Sequence, residues 1–263
     1  MVNIFTLLLA AGYGTRLKPY TDDWPKCLMP ISRRPLLEYW LSTLHENSVE
    51  QVLVNIHHHR HQVQEFLARE RFLGWVSSVY EENLLGTAGT VRHNSASFWN
   101  STLLLIHADN WCQCDFSKFI KFHLYSRPNH TVMTMMTFRT EQPNLCGIVE
   151  TDKEGVVQRF YEKNIDPPGN LANAAVYLLE PEVLLWIKQN PLATDFSTDV
   201  LPNFVGRVAT WENTGILRDI GEIQSLLQAQ NDLSFPTCWT EPDQWDKEFQ
   251  NNPIHKRLTM AAR

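Results

Sequence analysis

The chain reads as an α/β protein built on a mainly parallel sheet. Two patterns say so: apolar runs alternate with amphipathic helical stretches through the first half, and a glycine-rich turn follows the first run at once. Ile4 to Leu9 is an uninterrupted apolar run of the buried-strand kind. Pro35 to Asn47 places apolar residues at 36, 37, 40, 41 and 44 behind an opening proline, the spacing of one helical face. Gln51 to Ile56 is the second strand, and Val63, Phe66 and Leu67 mark the next helix. Trp75 to Tyr80 is a third strand, a helix starts at Gly86, and Thr102 to His107 is a further buried strand. Strands and helices in this order predict helices on both faces of the sheet.

After Asp115 the pattern changes. A helix over Phe116 to Tyr125 is followed by strands at Thr131 to Phe138, Gly147 to Thr151, Val156 to Tyr161 and Asn173 to Leu179. Asp152-Lys153-Glu154-Gly155 has the composition of a hairpin turn. Helices return at Pro181 to Gln189 and Ile223 to Asn231, with a strand through Val208 to Trp211 between them. The expectation is one continuous domain over residues 1–233, with a nucleotide-binding half to about 115 and a partner-specific half over about 116–233. Residues 234–263 contain Trp239, Trp245 and several prolines without clear periodicity, which predicts an irregular tail packed on the domain. There are no internal repeats.

Bulk properties narrow the function. A chain of 263 residues can bury a substantial core, and a net charge of −6 gives no basic footprint for nucleic acid. No apolar run approaches ~20 residues, so no membrane partner is expected. The first apolar run lacks a basic segment before it and continues straight into the glycine turn, as a strand does and a signal peptide does not. Five cysteines, at 27, 112, 114, 146 and 238, are an odd and scattered set, which points to reduced thiols and a cytoplasmic protein. Cys112-Gln113-Cys114 has no second Cys or His pair at zinc spacing. His57-His58-His59 and His61 have no carboxylate or cysteine beside them and read as a polar rim near a site.

The turn itself is Leu9-Ala10-Ala11-Gly12-Tyr13-Gly14-Thr15-Arg16-Leu17, with Pro25-Lys26 downstream. Small residues let the backbone turn sharply and expose N–H groups to an anion. Arg16 adds a forked cation and Lys26 a point charge, so the loop suits a triphosphate. A dinucleotide fingerprint would need glycine where Leu17 stands, and neither Gly12 nor Gly14 begins a P-loop.

The remaining pattern, G-x-G-T-R-L followed by Pro-Lys, resembles the signature of the sugar nucleotidyltransferases, in particular the heptose and mannose 1-phosphate guanylyltransferases. Five further segments resemble that family in the same order, up to about residue 227. The resemblance implies a Rossmann-like three-layer α/β/α sandwich with a mainly parallel mixed sheet, GT-A-like, binding nucleotide at the carboxyl ends of its strands. It implies nucleotide contacts from Leu9, Ala11, Gly12, Gly14 and Thr15, and from Glu81, Gly86 and Thr87 in Tyr80-Glu81-Glu82-Asn83-Leu84-Leu85-Gly86-Thr87-Ala88-Gly89. His107-Ala108-Asp109-Asn110 and Arg218-Asp219-Ile220-Gly221 resemble the segments whose aspartates hold Mg²⁺, although Ala108 replaces the usual glycine and Glu222 the usual threonine. By the same resemblance Gly147, Glu162, Lys163 and Asn173 face the sugar 1-phosphate. Asp195-Phe196-Ser197-Thr198-Asp199 also resembles the family but reads as a helix start whose Ser and Asp cap and orient rather than react.

The activity implied is NTP plus sugar 1-phosphate giving NDP-sugar and pyrophosphate, with Arg16, Lys26 and Asp109 as the catalytic residues. The partners are therefore an NTP and a sugar 1-phosphate, with self-association into a homo-oligomer also allowed. Guanine shows two adjacent donors that one carboxylate can accept together, so Glu81 or Glu82 tilts the base toward GTP. Adjacent residues of a strand face opposite ways, so only one of them reaches the base. A glucose 1-phosphate thymidylyltransferase and a non-catalytic nucleotide-sugar-binding module are the competing readings.

Overall fold

The structure is a computed structural model that describes residues 4–233 and 236–262. In chain order the elements are β1 (Ile4–Leu9), β2 (Pro30–Ile31), β3 (Arg34–Pro35), α1 (Leu36–Glu46), β4 (Gln51–Ile56), α2 (Arg60–Leu67), β5 (Val76–Tyr80), α3 (Thr87–His93), β6 (Thr102–His107) and β7 (Asn110–Gln113). There follow α4 (Phe116–Tyr125), β8 (Met133–Arg139), β9 (Gly147–Thr151), β10 (Val157–Glu162), β11 (Leu171–Leu179), α5 (Pro181–Gln189), β12 (Val208–Glu212) and β13 (Ile216–Asp219). The chain then adds α6 (Ile223–Ala229), α7 (Gln244–Gln250) and α8 (Pro253–Ala261).

Two compact units emerge, and they do not follow the linear halves expected from the sequence. The first takes residues 4–7, Leu85–Ile106 and Cys114–Gly215. Its strands run in the order β10-β9-β11-β6, followed by the start of β1, with β8 pairing β11 and β12. Pairing is antiparallel where β11 meets β6, β8 and β9, and parallel between β8 and β12. Leu103 to Ile106 of β6 and Val176 to Leu179 of β11 are fully buried, which is why both read as continuous apolar runs. The turn at 152–155 closes the β9–β10 hairpin, with Gly155 at φ +76°.

The second unit takes Leu8–Leu84, His107–Gln113 and the residues from Ile216 on. Here β4 and β5 pair in parallel, with α2 as their crossover. Leu36, Leu37, Trp40, Leu41 and Leu44 of α1 are buried, the face read from the sequence. Two short antiparallel pairs were not expected, β2 with β3 and β7 with β13.

The tail needs a correction. Residues 236–262 are not irregular, because α7 and α8 occupy most of them. Each helix buries one i,i+4 side, Phe249 beneath Trp245 in α7 and Ile254 with Leu258 in α8, too short a stripe to register as a period. Their starts carry the signal. Asp243 and Asp246 form a reciprocal capping box, and Asn252 caps α8 ahead of Pro253. A buried ionic knot ties α7 to the body of this unit. Arg69 donates to Glu38 at 2.6 Å and to Asp243 and Asp246 at 2.8 Å each, and Arg71 reaches Asp243 at 3.0 Å.

Candidate active site

Within the second unit, Leu9, Gly12, Gly14, Thr15, Arg16, Lys26 and Asp109 line one concavity of about 190 Å³. The loop after β1 is set by local needs. Ala10 N–H donates to Asn55 Oδ1 at 2.7 Å, which turns the chain off the strand. Gly14 has φ +63°, and a Cβ there would stand 2.8 Å from the Thr21 methyl. Ala11 is buried beneath the loop.

Asp109 and Asp219 come from distant segments that one register aligns. β13 runs antiparallel to β7 so that Asp219 faces Asn110, next to Asp109. Trp111 of β7 is fully buried, and its indole N–H shares Asp232 with the Arg218 fork. Lys26 donates from Nζ to Asp109 Oδ2 at 2.7 Å and to Asp219 Oδ1 at 2.9 Å. Arg16 donates from Nη2 to Asp219 Oδ2 at 2.9 Å, with Glu222 at 3.8 Å. Gly221 is required by this approach, since a Cβ there would lie 2.7 Å from Arg16 Nη2 and 2.9 Å from Asp219 Oδ1. Gly221 was not singled out in the sequence, although D-x-G contains it.

Electrostatics follow from this geometry. Burial opposes the charge on Lys26, but Asp109 and Asp219 outweigh it and hold its pKa above that of an ordinary lysine. Burial likewise opposes ionisation of Asp109, and Lys26 with His107 pulls its pKa below the usual carboxylate value. The hydrogen bond to Asp219 is the main cause of a raised pKa at Arg16. Cys27 also lines the concavity, but burial pushes its thiol up to about 12, so it is no nucleophile near neutral pH.

Among the described residues no group of three or more His, Cys, Asp and Glu could hold a metal alone. Two carboxylates do fit Mg²⁺, which commonly takes one or two protein oxygens and completes its shell with phosphate and water. Asp109 Oδ2 and Asp219 Oδ1 already converge on one cationic group, the Lys26 ammonium.

Glu81 and Glu82 separate clearly. Glu81 is buried and accepts from Asn55 Nδ2 at 3.0 Å, whereas Glu82 is exposed. Asn55 therefore links the Ala10 turn to the Glu81 carboxylate, a connection invisible in the sequence. The histidines are structural. His57 lies between the Glu81 carbonyl and the Tyr13 hydroxyl, at 2.8 and 2.9 Å. His58 and His59 both place Nε2 on the Thr21 carbonyl, at 3.1 and 2.9 Å.

In the first unit, Gly86 has φ +75°, and a Cβ there would collide with the Thr194 carbonyl at 2.4 Å. Packing thus explains this glycine without any ligand. The Thr87 hydroxyl accepts from Phe196 N–H at 2.6 Å, and Asp195 caps the following turn through Ser197 and Thr198 N–H groups. Gly147 lets Glu162 lie against its backbone, for a Cβ there would stand 2.8 Å from Glu162 Oε2. Burial raises the Glu162 pKa, with Lys163 pulling it the other way. Lys163 is largely exposed, 3.9 Å from Glu162, at φ +45°. Asn173 donates to the Tyr177 hydroxyl and accepts from Ala175 N–H, at a register shift in β11.

A family model described as Nucleotidyl transferase matches residues 5–234. A mannose-1-phosphate guanylyltransferase of Mycobacterium tuberculosis is 27% identical over 232 residues, covering 86% of this chain and 64% of its own length. A mannose-1-phosphate guanylyltransferase catalytic subunit beta of Drosophila melanogaster is 28% identical over 227 residues, covering 84% and 60%. The chain spans about three-fifths of the length of the curated relatives it matches. The solved structure of HddC from Yersinia pseudotuberculosis, complexed with GMP-PN, aligns at TM-score 0.71 with 23% identity, over 86% of this chain and 97% of that one. A UDP-glucose pyrophosphorylase complexed with UDP-glucose aligns at TM-score 0.75 with 20% identity, over 88% and 98%. These likenesses establish the fold, a mixed sheet flanked by helices.

Proposed function

Because this chain belongs to the nucleotidyl transferase family, we propose that it transfers a nucleotidyl group from an NTP to a sugar 1-phosphate, releasing pyrophosphate. The observation that carries this reading is the convergence of Arg16, Lys26, Asp109 and Asp219 beside the glycine loop. A sugar phosphate is already an anionic nucleophile. Its oxygen forms the new bond to the α-phosphorus as the bond to pyrophosphate breaks, so no protein nucleophile is needed. The residues bring anions together and stabilise the added charge.

Arg16 holds the leaving β- and γ-phosphates, and Lys26 the α-phosphoryl oxygens. Leu9, Ala11, Gly12, Gly14 and Thr15 present the loop to the triphosphate. Asp109 and Asp219 would hold Mg²⁺, which neutralises phosphate charge when bound. Gly147, Glu162, Lys163 and Asn173 are the residues proposed for the sugar 1-phosphate, with Glu162 accepting from hydroxyls and Lys163 meeting the phosphate. Gly86 and Thr87 remain proposed for the base segment.

GTP is the proposed nucleotide, and a mannose-type or D-glycero-D-manno-heptose 1-phosphate the proposed acceptor. Support comes from the buried, anchored carboxylate of Glu81 and from relatives named as mannose-1-phosphate guanylyltransferases. Pyrophosphate release should be measured across GTP, dTTP, UTP, ATP and CTP, each with a panel of sugar 1-phosphates. Turnover strongest with GTP is expected. A clear preference for dTTP with glucose 1-phosphate would replace the guanine reading, and no release with any pair would favour a binding module.

A further inference from the structure

The two cations of the site sit at opposite ends of a segment held partly by its own bonds and partly by residues outside it. Its own bonds run from the Thr21 hydroxyl to the Gly14 carbonyl at 2.9 Å and from the Trp24 indole to the Leu28 carbonyl at 2.8 Å. Between Gly14 and Met29 the backbone makes three separate single turns, Thr15–Leu17, Tyr20–Asp22 and Lys26–Leu28. One 3₁₀ turn has few internal hydrogen bonds and poor geometry, so its placement depends on outside partners. Those partners come from two other stretches of the same unit. The Thr21 carbonyl is met by the Nε2 atoms of both His58 and His59, and since a carbonyl only accepts, both rings donate there. Arg257 of α8 donates from Nη2 to the Pro19 carbonyl at 2.7 Å and from Nη1 to Asp23 Oδ2 at 3.1 Å. The same guanidinium lies 5.2 Å from the Tyr20 ring, and Trp24 stacks on Phe249 of α7 at 5.8 Å.

We propose that α8 is a positioning element of the phosphate-binding loop, with Arg257 as the residue through which it acts. One planar fork engages a main-chain carbonyl and a carboxylate four residues apart, so it sets the path of the chain between Arg16 and Lys26. Stability gains little from the contact, since Asp23 is mostly exposed and such pairs are weak. Geometry gains more, because a small displacement of a charged group at a phosphate site costs rate out of proportion to the energy of the contact that held it.

The test compares the full-length protein with Arg257→Ala and Arg257→Lys. Three readouts are taken: hydrogen exchange over residues 12–28, affinity for inorganic pyrophosphate, and kcat/KM for nucleotidyl transfer. The alanine variant should keep its Tm within about 2–4 °C. It should exchange faster across the loop, bind pyrophosphate about fivefold more weakly and lose about tenfold in kcat/KM. Lysine keeps the charge but not the fork, so it should recover only part of each effect. Unchanged exchange, or faster exchange with unchanged pyrophosphate affinity, overturns the proposal. The kinetic arm rests on the proposed transfer and the pyrophosphate arm on the proposed phosphate role of the loop, while the exchange arm rests on neither. If exchange and pyrophosphate affinity shift while no substrate pair reacts even in the wild type, the transfer reading fails and the positioning role stands.

Discussion

Lys26 is the residue on which the site balances. Its ammonium is nearly buried and touches two carboxylates, and its charge helps hold the Asp109 pKa below the usual carboxylate value against burial. In the proposed role as donor to the α-phosphoryl oxygens, its loss in Lys26→Ala should lower kcat by about 10²–10³-fold, as loss of one donor to developing charge commonly does. Steady-state kinetics on the folded variant check this, and near wild-type turnover would remove Lys26 from the mechanism. In the segment proposed for the base, Glu81 is buried and held by Asn55, so on the proposed guanine reading Glu81→Gln should erode the preference for GTP over dTTP while Glu82→Gln should not. Charge-assisted bonds of about 1.5–3 kcal/mol each make the expected loss at least roughly tenfold in the kcat/KM ratio. An unchanged ratio for both variants would sink the guanine assignment and leave the phosphate residues untouched.

At the scale of elements, the β7–β13 ladder is the device that makes two aspartates into one site. Asp109→Asn and Asp219→Asn should each weaken Mg²⁺ dependence, and the double variant should cost far less than the product of the two, because ligands of one ion act as a unit. Strict additivity of activity against Mg²⁺ concentration would show that they do not share a metal. Both aspartates were legible in the sequence from their motifs, but the ladder joining them was not. Asn110–Gln113 is four residues long and carries no alternation, and its partner lies over a hundred residues away. The longer elements, α1, β4, β6 and β11, could be read because each buries a full face or both faces. α7 and α8 could not, since a buried pair per helix is below the reach of periodicity and their capping residues are the only local signal. Gly86 and Gly221 were legible as glycines, yet the atoms that forbid a side chain there, Thr194 O and Arg16 Nη2, appear only in the fold.

For the molecule as a whole, the helix α7 and its cap are bound by a charge network. Arg69 is 4% exposed and joins Glu38, Asp243 and Asp246, while Glu38 is wholly buried. Arg69→Ala leaves the buried Glu38 carboxylate with Arg34 at 2.5 Å and Arg71 at 3.7 Å, and takes from Asp246 its closest buried cation. The expected cost is below the ~3–5 kcal/mol of an uncompensated buried charge, because Arg34 and Arg71 remain, and it is readable from urea denaturation. The network also sets an acid limit. Burial is the largest single influence and works against the Asp243 charge, but the bonds from Arg69 and the Asp246 N–H together with the Arg69 and Arg71 charges outweigh it. The Asp243 pKa is lowered on folding, so the stability it contributes is present above its unfolded value and fades as pH falls through the folded one.

The β7–β13 pairing also fixes a schedule. Lys26 and Asp109 leave the ribosome well before Asp219, which lies 193 residues beyond Lys26. At ~5–20 residues per second, roughly 5–20 seconds of translation separate the two aspartates. During that interval the nascent chain holds Lys26 and Asp109 with Asp219 still to come, and a β7 segment that has not yet met β13. The second carboxylate on Lys26 is therefore acquired late, and a ribosome stalled before residue 216 displays a polypeptide that has much of its core but not the β7–β13 ladder.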